Sequence, residues 1–266
     1  MTHTALILAS RRQGVVDPLA AEAGVSHKCL IDMDGAPMIE RVIVSLRDAK
    51  SVGDIVISID DPAVLDRVTA VREGVEAGVI RFAPARENLW LSVRDALSGA
   101  VEFPALICTA DNALQTAEMV DHFTAACAAD GCEIGVAVTA AETIWSKYPE
   151  GQRRPHRFRD GMWSNCNLFA LRSPAAIGAA RAFEGGGQFG KSKKRVLKAF
   201  GLLNLILYMT KLYTLRGTFA RVSKRFGISI KPIEMPWPEA PIDVDNERTQ
   251  RIAREILVAR RMDAAA

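Results

Sequence analysis

Through the first two thirds of the chain, short apolar runs alternate with longer stretches in which apolar residues recur every three or four positions. The first pattern suits buried strands and the second suits helices with one face on a core. Strands are predicted at Leu6–Ala9, Asp54–Ile59, Val79–Phe82, Ala105–Thr109, Glu133–Val138 and Asn167–Leu171. Helices are predicted between them at Met38–Asp48, Pro62–Glu76, Leu89–Ser98 and Ala117–Ala129. Thr116 is placed to cap the last of these, with Glu118 and Asp121 bringing negative charge to its first turn. Strand–helix alternation of this kind predicts a doubly wound, mostly parallel α/β sheet.

After Pro174 the texture changes. AAIGAARAFEGGG reads as a helix ending at glycines, and a basic and apolar region then continues to Arg225. Gly227–Ile233 reads as a strand returning to the sheet and Asn246–Met262 as a charged closing helix. The expectation is one domain over residues 1–266, built from both ends of the chain, with a helical insertion at about 185–226. That insertion holds Lys191, Lys193, Lys194, Arg195 and Lys198, followed by the apolar run Phe200–Met209. The run is shorter than the ~20 residues needed to span a bilayer. Two readings stay open for residues 191–225: a helix buried against the core or in a homodimer, or peripheral membrane contact. In the second, the cations meet anionic lipid while Leu202, Leu203, Leu205, Ile206 and Leu207 enter the interface.

With 49% hydrophobic and 24% charged residues, a chain of 266 residues can bury a full core. A net charge of +3 gives no reason to expect a nucleic-acid partner. The five cysteines are odd in number and lack CxxC or metal-ligand spacing, so they read as small hydrophobes in a reducing compartment. No signal-peptide pattern opens the chain. A cytoplasmic protein is expected, with residues 191–225 allowing contact with the inner face of the membrane.

Three segments could carry chemistry. The strand at Leu6–Ala9 breaks into Ser10-Arg11-Arg12-Gln13-Gly14, and Lys28 follows before Cys29-Leu30-Ile31. Donors at the carboxyl edge of a parallel sheet suit phosphates, although a solvated basic loop reads equally well. It is not a Walker loop, because no GK[ST] follows. In LICTADNALQT the carboxylate of Asp111 ends a central strand, where a hard cation such as Mg²⁺ would meet phosphate oxygens; a turn residue or helix cap is the plainer reading. In Pro241-Ile242-Asp243-Val244-Asp245-Asn246, two acids at i and i+2 face the same side of an extended segment, while Asp245 also stands where it could cap the closing helix. Smaller signals are Ser92, at a helix start suited to a base or phosphate, and Ser164, Asn165 and Asn167, suited to hydroxyls or a phosphate. The four histidines show no ligand spacing and read as structural or surface residues.

The order of these motifs resembles the nucleotidyltransferase family that includes molybdenum cofactor guanylyltransferase and the sugar- and polyol-phosphate cytidylyltransferases, over residues 4–172 and 227–260. The resemblance implies a Rossmann-like, mixed but mostly parallel α/β sheet of the GT-A type, with NTP and a phosphorylated acceptor as substrates, Mg²⁺ as cofactor and pyrophosphate as product. It implies that Ala9, Ser10, Arg11, Arg12 and Gly14 lie along the triphosphate and that Lys28 meets the phosphates, with Lys28, Arg12 and Asp111 catalytic. It further implies Asp111 and Asp245 as metal ligands, Ser92 on the base side, and Asn165 and Asn167 toward the acceptor. CTP or GTP is expected on family grounds alone. The family's L-A-G-G-x-G-x-R-M loop is here LASRRQG, Ala113 stands for its T-A-D-x-P-L proline, and Asn246-Glu247 stand for the T-P of V-D-T-P-E-D-L. Two other classes are open: a glycosyltransferase using a nucleotide sugar, for which Asp243-Val244-Asp245 is a superficial DxD motif, and a non-catalytic nucleotide-binding or membrane-associated partner.

Overall fold

The sheet is organised around its first strand, β1 (His3–Leu8), in which Ala5, Leu6 and Ile7 are fully buried. Parallel strands covered on both faces read as continuous apolar runs, and β1 is such a run. The computed structural model describes residues 2–11, 17–99, 101–180 and 212–265. The remaining strands are β2 (Val52–Ile59), β3 (Ile80–Pro84), β4 (Ala105–Thr109), β5 (Ile134–Ala140), β6 (His156–Phe158), β7 (Gly161–Leu171) and β8 (Ile230–Glu234). Their order is β3-β2-β1-β4-β7-β5-β8, with β6 paired to β7. The pairs β1–β2, β2–β3, β1–β4 and β5–β8 are parallel, whereas β7 runs antiparallel to β4, β5 and β6. The mixed, mostly parallel sheet is as expected, and β8 brings the late part of the chain back beside β5.

Helices α1 (Pro18–Glu22), α2 (Met38–Arg47), α3 (Thr69–Glu76), α4 (Leu89–Gly99), α5 (Ala117–Asp130), α6 (Ala141–Lys147), α7 (Ile177–Ala180), α8 (Leu215–Phe226) and α9 (Glu247–Ala265) complete the described elements. On one face of the sheet Ala5 and Ile7 pack with Ile39, Val42 and Ile43 of α2 and Val120 and Phe123 of α5. On the other, Leu6 packs with Val93, Ala96 and Leu97 of α4 and with Phe219 and Val222 of α8. A third cluster joins Met33, Met38 and Leu114 to Ile242, Val244 and the inner face of α9. This last cluster fixes the acidic segment against the sheet end.

Several expectations are refined. The stretch Pro62–Glu76 is broken into a 3₁₀ turn (Pro62–Leu65) and α3. Glu40 of α2 accepts from the Ala70 amide at 3.3 Å, so a carboxylate from another helix serves the start of α3. Thr116 caps α5 as predicted, accepting from Met119 N, but Asp121 instead accepts from Lys50 N and Ser51 N at 3.1 and 2.9 Å, tying α5 to the turn before β2. β7 begins at Gly161, six residues before the predicted start at Asn167: its first half mixes apolar and polar residues, and Gly161–Trp163 pair with β6. Short α1, α6 and β6 were not anticipated.

All five cysteines are free and buried, and burial pushes the thiols of Cys29, Cys108 and Cys166 up to about 12, as suits packing rather than reactivity. The predicted insertion falls largely on 181–211, outside the described residues, including its whole apolar run. Its described end, α8, docks on β8: Ser223 Oγ donates to Ile230 O at 3.0 Å and accepts from Ile230 N at 2.9 Å. No described helix is long and apolar enough to cross a membrane.

Gly135 in β5 is held against α5 so closely that a Cβ there would lie 2.2 Å from Cys127 Sγ. Gly135→Ala is expected to cost about 1–3 kcal/mol by overpacking. Cys127→Ala should offset part of that cost, so that the double variant loses less than the two single losses combined in urea unfolding. Strict additivity would show that the two sites do not touch.

Candidate active site

β1 is the switch point of the sheet: β2 and β3 lie to one side of it and β4 to the other. The carboxyl ends of adjacent parallel strands that diverge in this way leave a crevice for ligands. Ala9 N donates to Ser58 O at 3.0 Å and Ala110 N to Leu8 O at 3.1 Å, so the chain stays pinned as it leaves β1 and β4. Asp111 therefore emerges at the crevice from a rigid base. Asn112 is buried behind it, donating from Nδ2 to Cys166 O at 3.1 Å.

Two further segments converge there. The acidic strap after β8 is held by Val244 N donating to Asp111 O at 3.2 Å, with Ile242 and Val244 fully buried. Asp243 and Asp245 are consequently left on the crevice side, as the i, i+2 alternation predicted. Lys28 opens a single 3₁₀ turn, Lys28–Leu30, anchored by the buried side chain of Cys29. Its Nζ donates to Asp111 Oδ2 at 2.7 Å and to Asp245 Oδ1 at 2.8 Å. Burial works to discharge this ammonium, but the two carboxylates outweigh it and raise its pKa further.

Asp111, Asp243 and Asp245 each offer an oxygen within 4.8 Å of the others. Asp111 Oδ1 is buried without a hydrogen-bond partner, so this carboxylate has coordination to spare toward the cluster. An all-oxygen set of carboxylates fits a hard divalent cation rather than a soft one. Asp243 carries the strain of the arrangement: burial first, then the charges of Asp111 and Asp245, push its carboxyl up to about 7, with Lys28 working in the opposite sense.

The antiparallel direction of β7 brings its first half to the same edge. Asn167 Nδ2 donates to Asp243 Oδ2 at 2.9 Å and its Oδ1 accepts from Asn165 Nδ2 at 2.9 Å. Asn167 has φ 52°, a left-handed conformation that Asn tolerates better than most residues, and it sits in the irregularity of the β5–β7 register between Val136 and Val138. The bulge turns Asn167 toward the acid. At the start of α9, Asn246, not Asp245, is the cap: its Oδ1 accepts from Thr249 N at 3.2 Å, and Thr249 Oγ1 accepts from Asn246 N at 3.2 Å. The reciprocal pair leaves the Asp245 side chain to Lys28.

Ser10 and Arg11 follow β1 as expected, while Arg12 and Gly14 lie outside the described residues. Arg11 pairs through Nε with Asp60 Oδ2 at 2.9 Å, and His27 Nε2 lies 3.1 Å from Asp60 Oδ1. Asp60, just past β2, thus ties the loop after β1 to the residue preceding Lys28. This link was not read from the sequence; an acid following an apolar strand was its one signal, and His27 offered none. Ser92 is buried at the start of α4, where its hydroxyl accepts from Arg86 N at 2.8 Å and donates to Asn88 O at 3.2 Å. It stitches the β3–α4 loop together, and Asn88 Oδ1 accepts from Leu91 N at 2.9 Å as the helix begins.

The fold is of the nucleotidyltransferase type, with this site at the carboxyl edge of its sheet. The sequence profile of the MobA-like NTP transferase domain matches residues 5–198, and the chain belongs to that family. Among solved structures, a hypothetical transferase from Thermus thermophilus is 22% identical with a TM-score of 0.75, covering 94% of this chain and 100% of that one. CMP:2-keto-3-deoxy-manno-octonic acid synthetase, solved with CTP, is 13% identical with a TM-score of 0.55, covering 97% and 100%. 4-Diphosphocytidyl-2C-methyl-D-erythritol synthase from Anaerococcus prevotii is 11% identical with a TM-score of 0.54, covering 96% of each chain. At these identities the likeness establishes the fold. No curated protein sequence matches the chain.

The raised carboxyl of Asp243 has a stability consequence in chelator. An acid whose folded pKa, about 7, exceeds its ordinary value of 3.8 costs stability as pH rises through that interval, and the cost is complete above it. Asp243→Asn should therefore match the parent near pH 4 and exceed it by about 1–2 kcal/mol at pH 8 in denaturant unfolding. A less stable variant at pH 8 would show that the Asp243 charge is favourable in the folded state.

Proposed function

We propose that this protein is a Mg²⁺-dependent nucleotidyltransferase that couples an NTP, with CTP or GTP favoured, to a phosphorylated small-molecule or lipid-headgroup acceptor and releases pyrophosphate. The observation that carries this reading is the ammonium of Lys28 bridging Asp111 and Asp245 at the carboxyl edge between β1 and β4. A cation beside a gathered set of carboxylates suits phosphoryl chemistry, where charge must be both held and offset. Asp111 and Asp245, with Asp243 beside them, would hold Mg²⁺, which supplies compensation for charge on the phosphoryl oxygens.

The acceptor's phosphate oxygen attacks the α-phosphorus, forming an O–P bond as the bond from the α-phosphorus to the bridging oxygen breaks. That bond's electron pair leaves with pyrophosphate. The attacking phosphate is already ionised near neutrality, so no general base is required. Lys28 and the arginines of the loop after β1 offset the charge growing on the leaving group. The Asp60 clamp on Arg11 and His27 keeps that loop and Lys28 in register with one another. Asn165 and Asn167 lie toward the acceptor side of the acids, with Asn167 holding Asp243.

The reading is tested in two stages. Thermal unfolding with Mg²⁺ and each of CTP, GTP, ATP and UTP should show one selective stabilisation. A nucleotide at 100 times its Kd adds about 2.7 kcal/mol, hence a shift of roughly 5–10 °C for a chain of this size. With that nucleotide, pyrophosphate release should depend on a phosphorylated acceptor and fall by roughly 10²-fold or more in Lys28→Ala and Asp111→Ala. Stabilisation by no nucleotide, or unchanged turnover in Asp111→Ala, would contradict it; transfer of sugar from a nucleotide sugar would move the protein to the glycosyltransferase class.

A further inference from the structure

Beside the acid cluster lies a cavity of about 220 Å³, walled by the loop before β6, the first half of β7 and the first turn of α9. Asp243 and Asp245 line it, and so do Arg154, Arg248, Gln152 and Ser164. Acids and guanidinium groups thus face one small space. The guanidinium groups of Arg154 and Arg248 are not paired with carboxylates among the described residues. Arg248 makes no side-chain hydrogen bond or ion pair with a described residue, and its Nη1 is buried without a partner. Burial, and then the neighbouring charges of Arg153 and Arg251, weaken its hold on its proton, with Glu150 and Asp243 acting the other way. Arg154 is exposed and has no carboxylate partner among the described residues, and the nearby Glu150 pairs with Arg153.

An unpartnered buried guanidinium nitrogen is costly, and a planar fork of donors matches phosphate oxygens. A phosphate entering this edge would also meet the carboxylates of Asp243 and Asp245, and Lys28 is already shared between Asp111 and Asp245. A separate cation is needed on the entry side. We propose that this cavity is the acceptor site and that Arg248, supported by Arg154, binds the acceptor's phosphate. The inference rests on the reading of the protein as a transferase to a phosphate acceptor. The volume equals roughly seven waters' share of liquid, room for a phosphate and a short polyol chain. Any larger part of the acceptor must lie outside. Gln152 and Ser164 stand where the hydroxyls of such a chain would be met.

A free polyol phosphate and a phospholipid headgroup share this chemistry, and the experiment separates them. Glycerol 3-phosphate is titrated by calorimetry into the parent protein and into Arg248→Gln, Arg154→Gln and Arg251→Gln. The last removes a cation engaged by Glu255 on the same helix and serves as the control for net charge. Binding should weaken at least tenfold in Arg248→Gln, less in Arg154→Gln, and be unchanged in Arg251→Gln. Arg248→Lys, which keeps the charge without the fork, should fall between. Sedimentation with phosphatidic acid vesicles, against phosphatidylcholine vesicles, reports the lipid source: Arg248-dependent binding there with none to glycerol 3-phosphate assigns a headgroup. Parent-like binding in Arg248→Gln, equal losses in the control, or no binding to either probe overturns the proposal. Nucleotide-induced stabilisation, measured on the same samples, keeps the two readings apart. If it persists while phosphate binding ignores Arg248, the cavity assignment fails alone; if it is absent from the parent, the transferase reading fails.

Discussion

One ammonium shared by two carboxylates sets the geometry of the carboxyl edge. Lys28 reaches Asp111 and Asp245 at 2.7 and 2.8 Å, the second across 217 positions of sequence. Three carboxylates against one ammonium leave an excess of negative charge in a partly buried place, and such an excess must be neutralised by protonation or by a cation. Much of the local architecture serves to hold this cluster together. The backbone of the acidic strap is bonded to Asp111, Asn167 is turned by a bulge to meet Asp243, and Asn246 caps α9 in place of Asp245. Beneath it, Ile242 and Val244 join the apolar cluster that holds the strap down.

The charges divide by direction. Toward the loop after β1, Asp60 gathers Arg11 and His27. Toward β7 and α9, Arg154 and Arg248 face the acids across a small cavity. A donor and an acceptor that both carry phosphate repel one another, so a site that joins them needs cations on both flanks and a neutralising centre between. The first loop, LASRRQG, has more arginine and less glycine than the L-A-G-G-x-G-x-R-M pattern it resembles.

How much of this was legible in the sequence depended on the range of the interaction. β4 matches its predicted limits because a buried parallel strand is written as a local apolar run. Asp111 was legible for the same reason, being the first acid after that run. The pairing of Asp243 with Asp245 followed from strand alternation. Lys28 could be assigned only through the order of the motifs, since nothing local says which lysine meets which acid. Of the two residues that could cap α9, Asn246 rather than Asp245 does so, and the choice is made by the hydroxyl of Thr249. The break in Pro62–Glu76, the Asp60 clamp and the unpartnered Arg248 all depend on groups from other elements, and no local pattern encodes them. The first half of β7 escaped because Met162 and Trp163 run on into Ser164 and Asn165, so that no continuous apolar run marks the strand.

The most direct measurement is a crystal structure of the protein with Mn²⁺ in place of Mg²⁺ and the nucleotide that stabilises it, read by the anomalous signal of the metal. The account predicts a metal peak in contact with carboxylate oxygens of Asp111 and Asp245 and with a phosphate oxygen, with Lys28 displaced onto the phosphates. A nucleotide bound with no metal at Asp111, or a metal held away from the phosphates, would contradict it.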